Sequence, residues 1–420
     1  MAEVQPPTPI SELGSGPSRP LLIAVGLALG PVMALGLGRF AYSLLLATMR
    51  SQLHWSFAQA GTMNTANALG YLGGAVAAGP LIVRFRNRRP FLAGIAVTGV
   101  AVLASAASGG FEVLLSLRLL AGASGAVVFI AGAGLAARLS AGLTARRGAM
   151  LLGVYFAGGG LGIVVSALIV PPVVGMGGSG SWRWGWVALG VAGVATLAGA
   201  VPAALAAPEP TAAPGGGLWG SPLRRLAPTI VAYGLFGAGY IAYVTFIVAF
   251  VRTEGLTPRS VSAFWATLGA AAVVAAFAWG PALGRLQGGR APAAVLAVTA
   301  VGAALPLIFG GVVGDFTSAA LFGGSFLAVV TAVTNLARRS LTPSQVGPAI
   351  AVMTIAFSIG QSLGPILAGV LSDGRGGIRA GLDLAVALLG AALIVALTQP
   401  TVSPHAEEGG RSSPPATFPG

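Results

Sequence analysis

From Leu21 to Thr398 the chain repeats one pattern: an apolar run long enough to span a bilayer, then a short polar break that usually carries arginine. A spanning helix needs about 20 apolar residues to cross roughly 30 Å of hydrocarbon. Runs that satisfy this occur at 21–48, 57–83, 90–108, 111–137, 148–171, 184–206, 226–251, 258–284, 291–313, 316–337, 346–371 and 380–398. The pattern predicts an all-α membrane protein with twelve transmembrane helices.

The breaks set the expected orientation. With both termini inside, fifteen of the 23 basic residues fall in cytoplasmic segments, among them Arg84, Arg86, Arg88, Arg89 and Arg285, while six fall outside. The excess of positive charge on one side predicts cytoplasmic termini in a bacterial inner membrane. Residues 1–20 and 399–420, rich in Pro and poor in apolar runs, read as disordered tails, and 207–222, broken by Pro and Gly, as a cytoplasmic linker. The linker separates two six-helix bundles, 21–206 and 223–398.

These halves repeat. Gly36-Leu-Gly-Arg-Phe-Ala-Tyr42 corresponds to Gly237-Ala-Gly-Tyr-Ile-Ala-Tyr243, and Gly79-Pro80 with Arg84 to Gly280-Pro281 with Arg285, all at one displacement. Gly122, Ser124, Leu135, Ala136 and Arg138 match Gly323, Ser325, Leu336, Ala337 and Arg339 at the same offset, and Gly158 and Gly162 match Gly360 and Gly364 one residue further on. A nearly constant offset in separate helices implies duplicated halves related by a pseudo-two-fold axis along the membrane normal.

Composition narrows the chemistry. Mean hydropathy is +0.87 with 8% charged residues, so the net charge of +13 reflects loop arginines and not a nucleic-acid surface. There is no cysteine and there are two histidines, His54 and His405, both outside the spans. Thiolate metal sites, disulfides and a haem are excluded, and no cofactor is expected.

The residues then acquire a family. Gly79-Pro80-Leu81-Ile82-Val83-Arg84 with Arg86, Arg88 and Arg89 resembles the basic loop after the second helix of the major facilitator superfamily, with Val83 in place of its usual Asp. Arg118-Leu-Leu-Ala-Gly122 resembles the fourth-helix motif, and Gly158-xxx-Gly162 a reduced fifth-helix motif. Gly38-Arg39-Phe40-Ala41-Tyr42, Ala66-Asn67-Ala68-Leu69-Gly70-Tyr71 and Gly360-Gln361-Ser362-Leu363-Gly364-Pro365 with Asp373 resemble the YbfB/YjiJ branch. The resemblance implies a secondary transporter with alternating access, whose helices one, four, seven and ten line a central cavity.

Polar residues at mid-depth are the candidate site. Arg39 lies about 16 Å before Arg50 at the outer end, and Arg118 about 12 Å below Gly110. Asn64, Asn67, Tyr240 and Gln361 fall at a similar depth, and Tyr71 shares the Asn64 and Asn67 face. The repeat puts Tyr240 opposite Arg39 and Ala319 opposite Arg118, so the charges belong to one half only. A guanidinium at the bilayer centre costs about 2.5–3.5 kcal/mol on insertion scales. Two readings remain open: the arginines meet substrate, or they bind backbone carbonyls while the asparagines join helices.

No carboxylate is expected at that level, because Glu112, Glu254, Asp315, Asp373 and Asp383 all fall at or near outer ends. Two arginines without a buried acid favour a small organic anion, held as a carboxylate or phosphate in a bidentate fork. An efflux carrier for uncharged apolar compounds is the alternative, and a sensor or scaffold the alternative of another class. An enzyme is not expected, since no intramembrane nucleophile, metal set or acid pair is found. Glu112 is the candidate coupling residue, with exchange or facilitated movement favoured over proton symport. Gly158, Gly162, Gly360, Gly364 and the loops of Arg84 and Arg285 are expected to permit the conformational change. The expected partners are a small anionic substrate and the lipid bilayer, with the protein a monomer.

Overall fold

The computed structural model describes residues 18–209 and 222–401. The predicted tails up to residue 17 and from 402, and most of the predicted linker, lie outside the described residues.

The first span is three pieces: α1, Ser18–Pro31; a π-helical segment, Val32–Phe40; and α2, Tyr42–Gln52. The remainder of the first half is α3 (Phe57–Phe85), α4 (Arg88–Ala104), α5 (Phe111–Ser140), α6 (Ala145–Gly175) and α7 (Ser181–Ala206). After the short α8 (Pro222–Arg225) come α9 (Ala227–Thr253), α10 (Pro258–Arg285), α11 (Arg290–Phe309), α12 (Gly311–Ser340), α13 (Pro343–Ser372) and α14 (Gly377–Leu397). Among the described residues, eleven helical stretches are long and apolar enough to cross a membrane. The expected span at 90–108 is α4, whose 17 residues sit at the short end of the spanning range.

Several boundaries differ from the hydropathy reading for local reasons. Helix α1 starts at Ser18, inside the predicted tail. Gln399, also placed in a tail, is buried: its Oε1 accepts from the Thr229 hydroxyl at 2.8 Å, and its Nε2 donates to the Arg225 carbonyl at 2.9 Å. The run 291–313 is cut at Phe309, because Gly311, at φ 78°, takes a left-handed turn that a branched side chain resists. Val312 and Val313 therefore belong to α12, which draws Asp315 into the helix.

The repeat has a physical counterpart. The Thr98 hydroxyl lies 2.8 Å from that of Ser124, and Thr299 donates to Ser325 at 2.9 Å, the same bond one repeat later. A side chain on Gly122 would overlap the Asn67 carbonyl, and one on Gly323 the Leu268 carbonyl, again equivalent positions. Each contact lets two helices approach until their backbones touch, which in lipid is the main source of packing energy.

The glycines expected to permit movement hold helices within one half. A Cβ on Gly158 would meet the Ala28 carbonyl, and on Gly162 the π segment at Val32 and Gly36. Gly360 and Gly364 press in the same way on Gly234 and Ala238 of α9. Different glycines bring α3 against α13 and α6 against α10: Gly61 meets Pro365, Gly369 meets Phe57, and Gly160 and Gly269 face each other. Sequence periodicity does not reveal which faces pair.

Candidate functional site

The site is built around the π segment. Pro31, at its start, has no N–H to donate, which already interrupts the α-helical bonding pattern. At its end the Ala41 N–H bonds the Gly36 carbonyl at 2.9 Å, five residues back. Such wide turns recur at functional sites because they free backbone carbonyls and re-aim side chains. The Gly38 carbonyl accepts from Arg118 Nη1 at 2.6 Å, and Arg118 Nη2 reaches the Arg39 carbonyl at 3.4 Å and Asn64 Oδ1 at 3.1 Å. Arg118 is 2% exposed, and its guanidinium stands 5.0 Å from the Tyr42 ring centre and 5.7 Å from that of Trp186.

Arg39 faces the other way. Its Nη2 donates to Gln361 Oε1 on α13, 322 residues away, and its guanidinium lies 5.3 Å from the Tyr71 ring centre. Gln361 Oε1 also accepts from the Tyr240 hydroxyl at 2.8 Å. Asn64 Nδ2 donates to Thr245 on α9 at 2.7 Å, and Asn67 Nδ2 to the Arg118 carbonyl at 3.1 Å. All seven expected residues, Arg39, Asn64, Asn67, Tyr71, Arg118, Tyr240 and Gln361, thus join one network. Gln361 Nε2, Arg118 Nε and Asn67 Oδ1 are buried without a partner, leaving two donor nitrogens and one acceptor unused. Neither arginine makes an ion pair: among the described residues the single one is Arg88 with Glu209.

An aromatic wall adjoins Arg39, and the sequence reading did not assemble it. The Tyr240 ring stacks on Phe236, Phe357 and Phe326 at 4.9, 5.6 and 6.0 Å between centres. Phe40 meets Phe326 edge-on at 5.8 Å, carrying the wall across to the first half. These rings come from four elements, so only their assembly makes them neighbours. A regular spacing of Tyr233, Phe236 and Tyr240 along α9 was the one available signal.

The carboxylates divide. Glu112 is exposed in the first turn of α5. Asp373, at the end of α13, caps α3: its oxygens accept from the N–H groups of Phe57 at 2.7 Å and Ala58 at 2.9 Å. Ser56 and Gln59 form a capping box at the same helix start, so the first-turn donors of Phe57, Ala58 and Gln59 are all satisfied. Asp315, near the start of α12, is fully buried, and neither oxygen has a hydrogen-bond partner. One turn along α12, the Ser318 hydroxyl lies 2.5 Å from that of Tyr243 on α9. Among the described residues, no three His, Asp or Glu side chains gather as a metal site requires.

Hydrogen bonds between residues before 207 and after 222 run from mid-depth to one end. Thr65 donates to the Ser362 carbonyl at 2.7 Å, Trp265 to Ser166 at 3.2 Å and Arg252 to Thr48 at 3.4 Å, beside the Asp373 cap. Among the described residues, none joins the two parts at the Arg84 end.

Comparison with solved structures shows the same fold in membrane transporters. A bacterial homologue of the human lysosomal transporter Spinster, inward-facing and unoccupied, aligns with TM-score 0.67 at 15% identity, covering 90% of this chain and 96% of that one. The same homologue in an occupied inward-facing form gives 0.67 at 16%, over 92% and 97%. A mutant of the nucleoside transporter NupG gives 0.69 at 13%, over 90% and 98%. No curated protein matches in sequence. Residues 31–397 match the family described as uncharacterised MFS-type transporter YbfB, so the chain belongs to that family of the major facilitator superfamily and is a multi-pass membrane protein.

Proposed function

We propose that this chain is a secondary transporter that carries a small organic anion by alternating access between two pseudo-symmetric six-helix bundles. The observation that carries the reading is Arg39: a buried guanidinium at the junction of both halves, with a glutamine and aromatic rings around it and no carboxylate. An uncompensated cation in a low-dielectric setting attracts an anion strongly, and a planar fork selects carboxylate or phosphate. Gln361, with its unused Nε2, and Tyr240 would orient the bound group, while the adjoining rings suit an apolar or aromatic body. Arg118 has its Nη groups committed to Gly38, Arg39 and Asn64, and we assign it to holding the π segment that aims Arg39. Asn64 and Asn67 support the same arrangement.

Cross-half hydrogen bonds that run from mid-depth to the Asp373 end, with none at the Arg84 end among the described residues, support a state closed at the first and open at the second. With the arginine-rich side in the cytoplasm, that state is inward-open, in an inner membrane with cytoplasmic termini and with the chain acting as a monomer. The aromatic wall is the one observation that favours the second reading, export of uncharged apolar compounds. The two separate in a thermal-shift screen of purified protein against matched aromatic carboxylates, amines and neutral amides. The anion reading expects stabilisation by the carboxylates alone, lost in Arg39→Gln. Equal stabilisation by the amides, unchanged in that variant, would replace it with the apolar reading.

A further inference from the structure

At the Arg84 end of the first half two cavities meet. One, of about 590 Å³, is lined by Arg84, Arg86, Arg88 and Arg89 together with Glu209. The other, of about 520 Å³, is an apolar groove between α3, α4 and α5, lined by Gly73, Leu81, Val97 and Leu120 among others. Phe85 and Arg89 line both. From Gly73 to Leu81 the groove follows α3 for about 12 Å, most of one leaflet's hydrocarbon depth.

The acid in the basic cavity is already engaged. Glu209 accepts from the N–H groups of Asn87 and Arg88, each at 3.0 Å, and lies 3.9 Å from Arg88 Nε. Arg88 also donates to the carbonyls of Ala204 at 2.8 Å and Ala207 at 3.1 Å. These contacts tie the loop to the end of α7 and leave its other cations unneutralised. Among the described residues, the guanidinium groups of Arg84, Arg86 and Arg89 have neither a carboxylate partner nor a hydrogen bond, and that of Arg84 lies 5.4 Å from the Phe85 ring centre. Arg86 is held at φ 63°, a left-handed conformation unusual for a side chain of its size. Membrane orientation alone does not require this loop, because its repeat keeps Arg285 and Arg290 but has Gln287 and Gly289 where the first half has Arg86 and Arg88.

We propose that the joined cavities bind one anionic glycerophospholipid, its phosphate among Arg84, Arg86 and Arg89 and an acyl chain in the groove over Gly73. Basic pockets between helices at the cytoplasmic surface suit such headgroups, and the groove supplies what a free phosphate would not use. Gly73 leaves the groove open: a Cβ there meets nothing within 4 Å. Gly73→Leu therefore has room for its Cβ and puts an apolar side chain into the groove while changing no arginine.

The test uses full-length protein, delipidated and then reconstituted in phosphatidylcholine nanodiscs with or without phosphatidylglycerol, with retained lipid counted by native mass spectrometry. Wild type is expected to keep one phosphatidylglycerol. Each arginine near a membrane surface is worth about a fivefold preference for anionic lipid, so the Arg84→Gln, Arg86→Gln, Arg89→Gln triple variant should lose about 100-fold. Gly73→Leu should lose the retained lipid with its arginines intact. Inorganic phosphate should not displace it. Retention unchanged in both variants overturns the proposal. So does loss in the triple variant alone, which would mean a surface charge effect without a groove. Displacement by inorganic phosphate would reassign the cavity to a soluble anion. Should the triple variant fail to fold, Gly73→Leu alone decides.

Discussion

Arg118 Nη1 stands 2.6 Å from the carbonyl oxygen of Gly38, joining α5 to the π segment beside Arg39. A buried hydrogen bond from a charged donor is worth about 1.5–3 kcal/mol. Arg118→Gln should therefore lower stability in detergent by about that amount. Denaturation followed by tryptophan fluorescence would show it, and unchanged stability would return Arg118 to the set of substrate contacts.

Arg39 should behave in the opposite sense. Arg39→Lys keeps the charge but loses the planar fork, so anion transport per folded molecule should fall roughly 10- to 100-fold, and Arg39→Gln should nearly abolish it. Gln361→Leu removes the acceptor that holds the guanidinium and should weaken transport while leaving yield intact. Uptake into proteoliposomes, normalised to folded protein, is the measurement. Wild-type rates in Arg39→Gln would remove the anion site.

The Asp373 cap joins the end of α13 to the start of α3, and under the proposed alternating access an opening at that end would break it. A side-chain cap contributes about 0.5–2 kcal/mol, and its charge at the helix N-terminus adds a few tenths. Asp373→Ala should shift the equilibrium toward opening by roughly 4- to 50-fold. The chain has no cysteine, so spin labels on cysteines introduced at Gln59 and Arg375 can be placed without background. A longer distance distribution is expected in the variant; an identical one would make the cap incidental.

Asp315 tests the coupling. An ionised carboxylate buried without a partner is costly, and asparagine mimics the neutral acid in shape. Asp315→Asn should fold at wild-type yield and melt no lower. If the residue carries the coupling proton, the variant should also lose uptake driven by a pH gradient while keeping exchange of substrate across the membrane. Unchanged gradient-driven uptake would exclude Asp315, and loss of it in Glu112→Gln would restore Glu112 to the role.

What the chain determines locally was legible without coordinates. A rise of 1.5 Å per residue and a fixed hydrocarbon thickness make the spans, the shared level of Arg39 and Gln361, and the repeat readable from spacing. The π segment was not readable, because its bonds shift by one residue without changing composition. Pairings across hundreds of residues were decided only by helix packing: Arg39 with Gln361, Asp373 with the start of α3, and the aromatic wall from four elements. Asp315 shows the boundary between the two. Its composition context placed it in a loop, whereas a glycine turn at Gly311 and the faces of the surrounding helices enclosed it, and burial is a property of neighbours that no single segment contains.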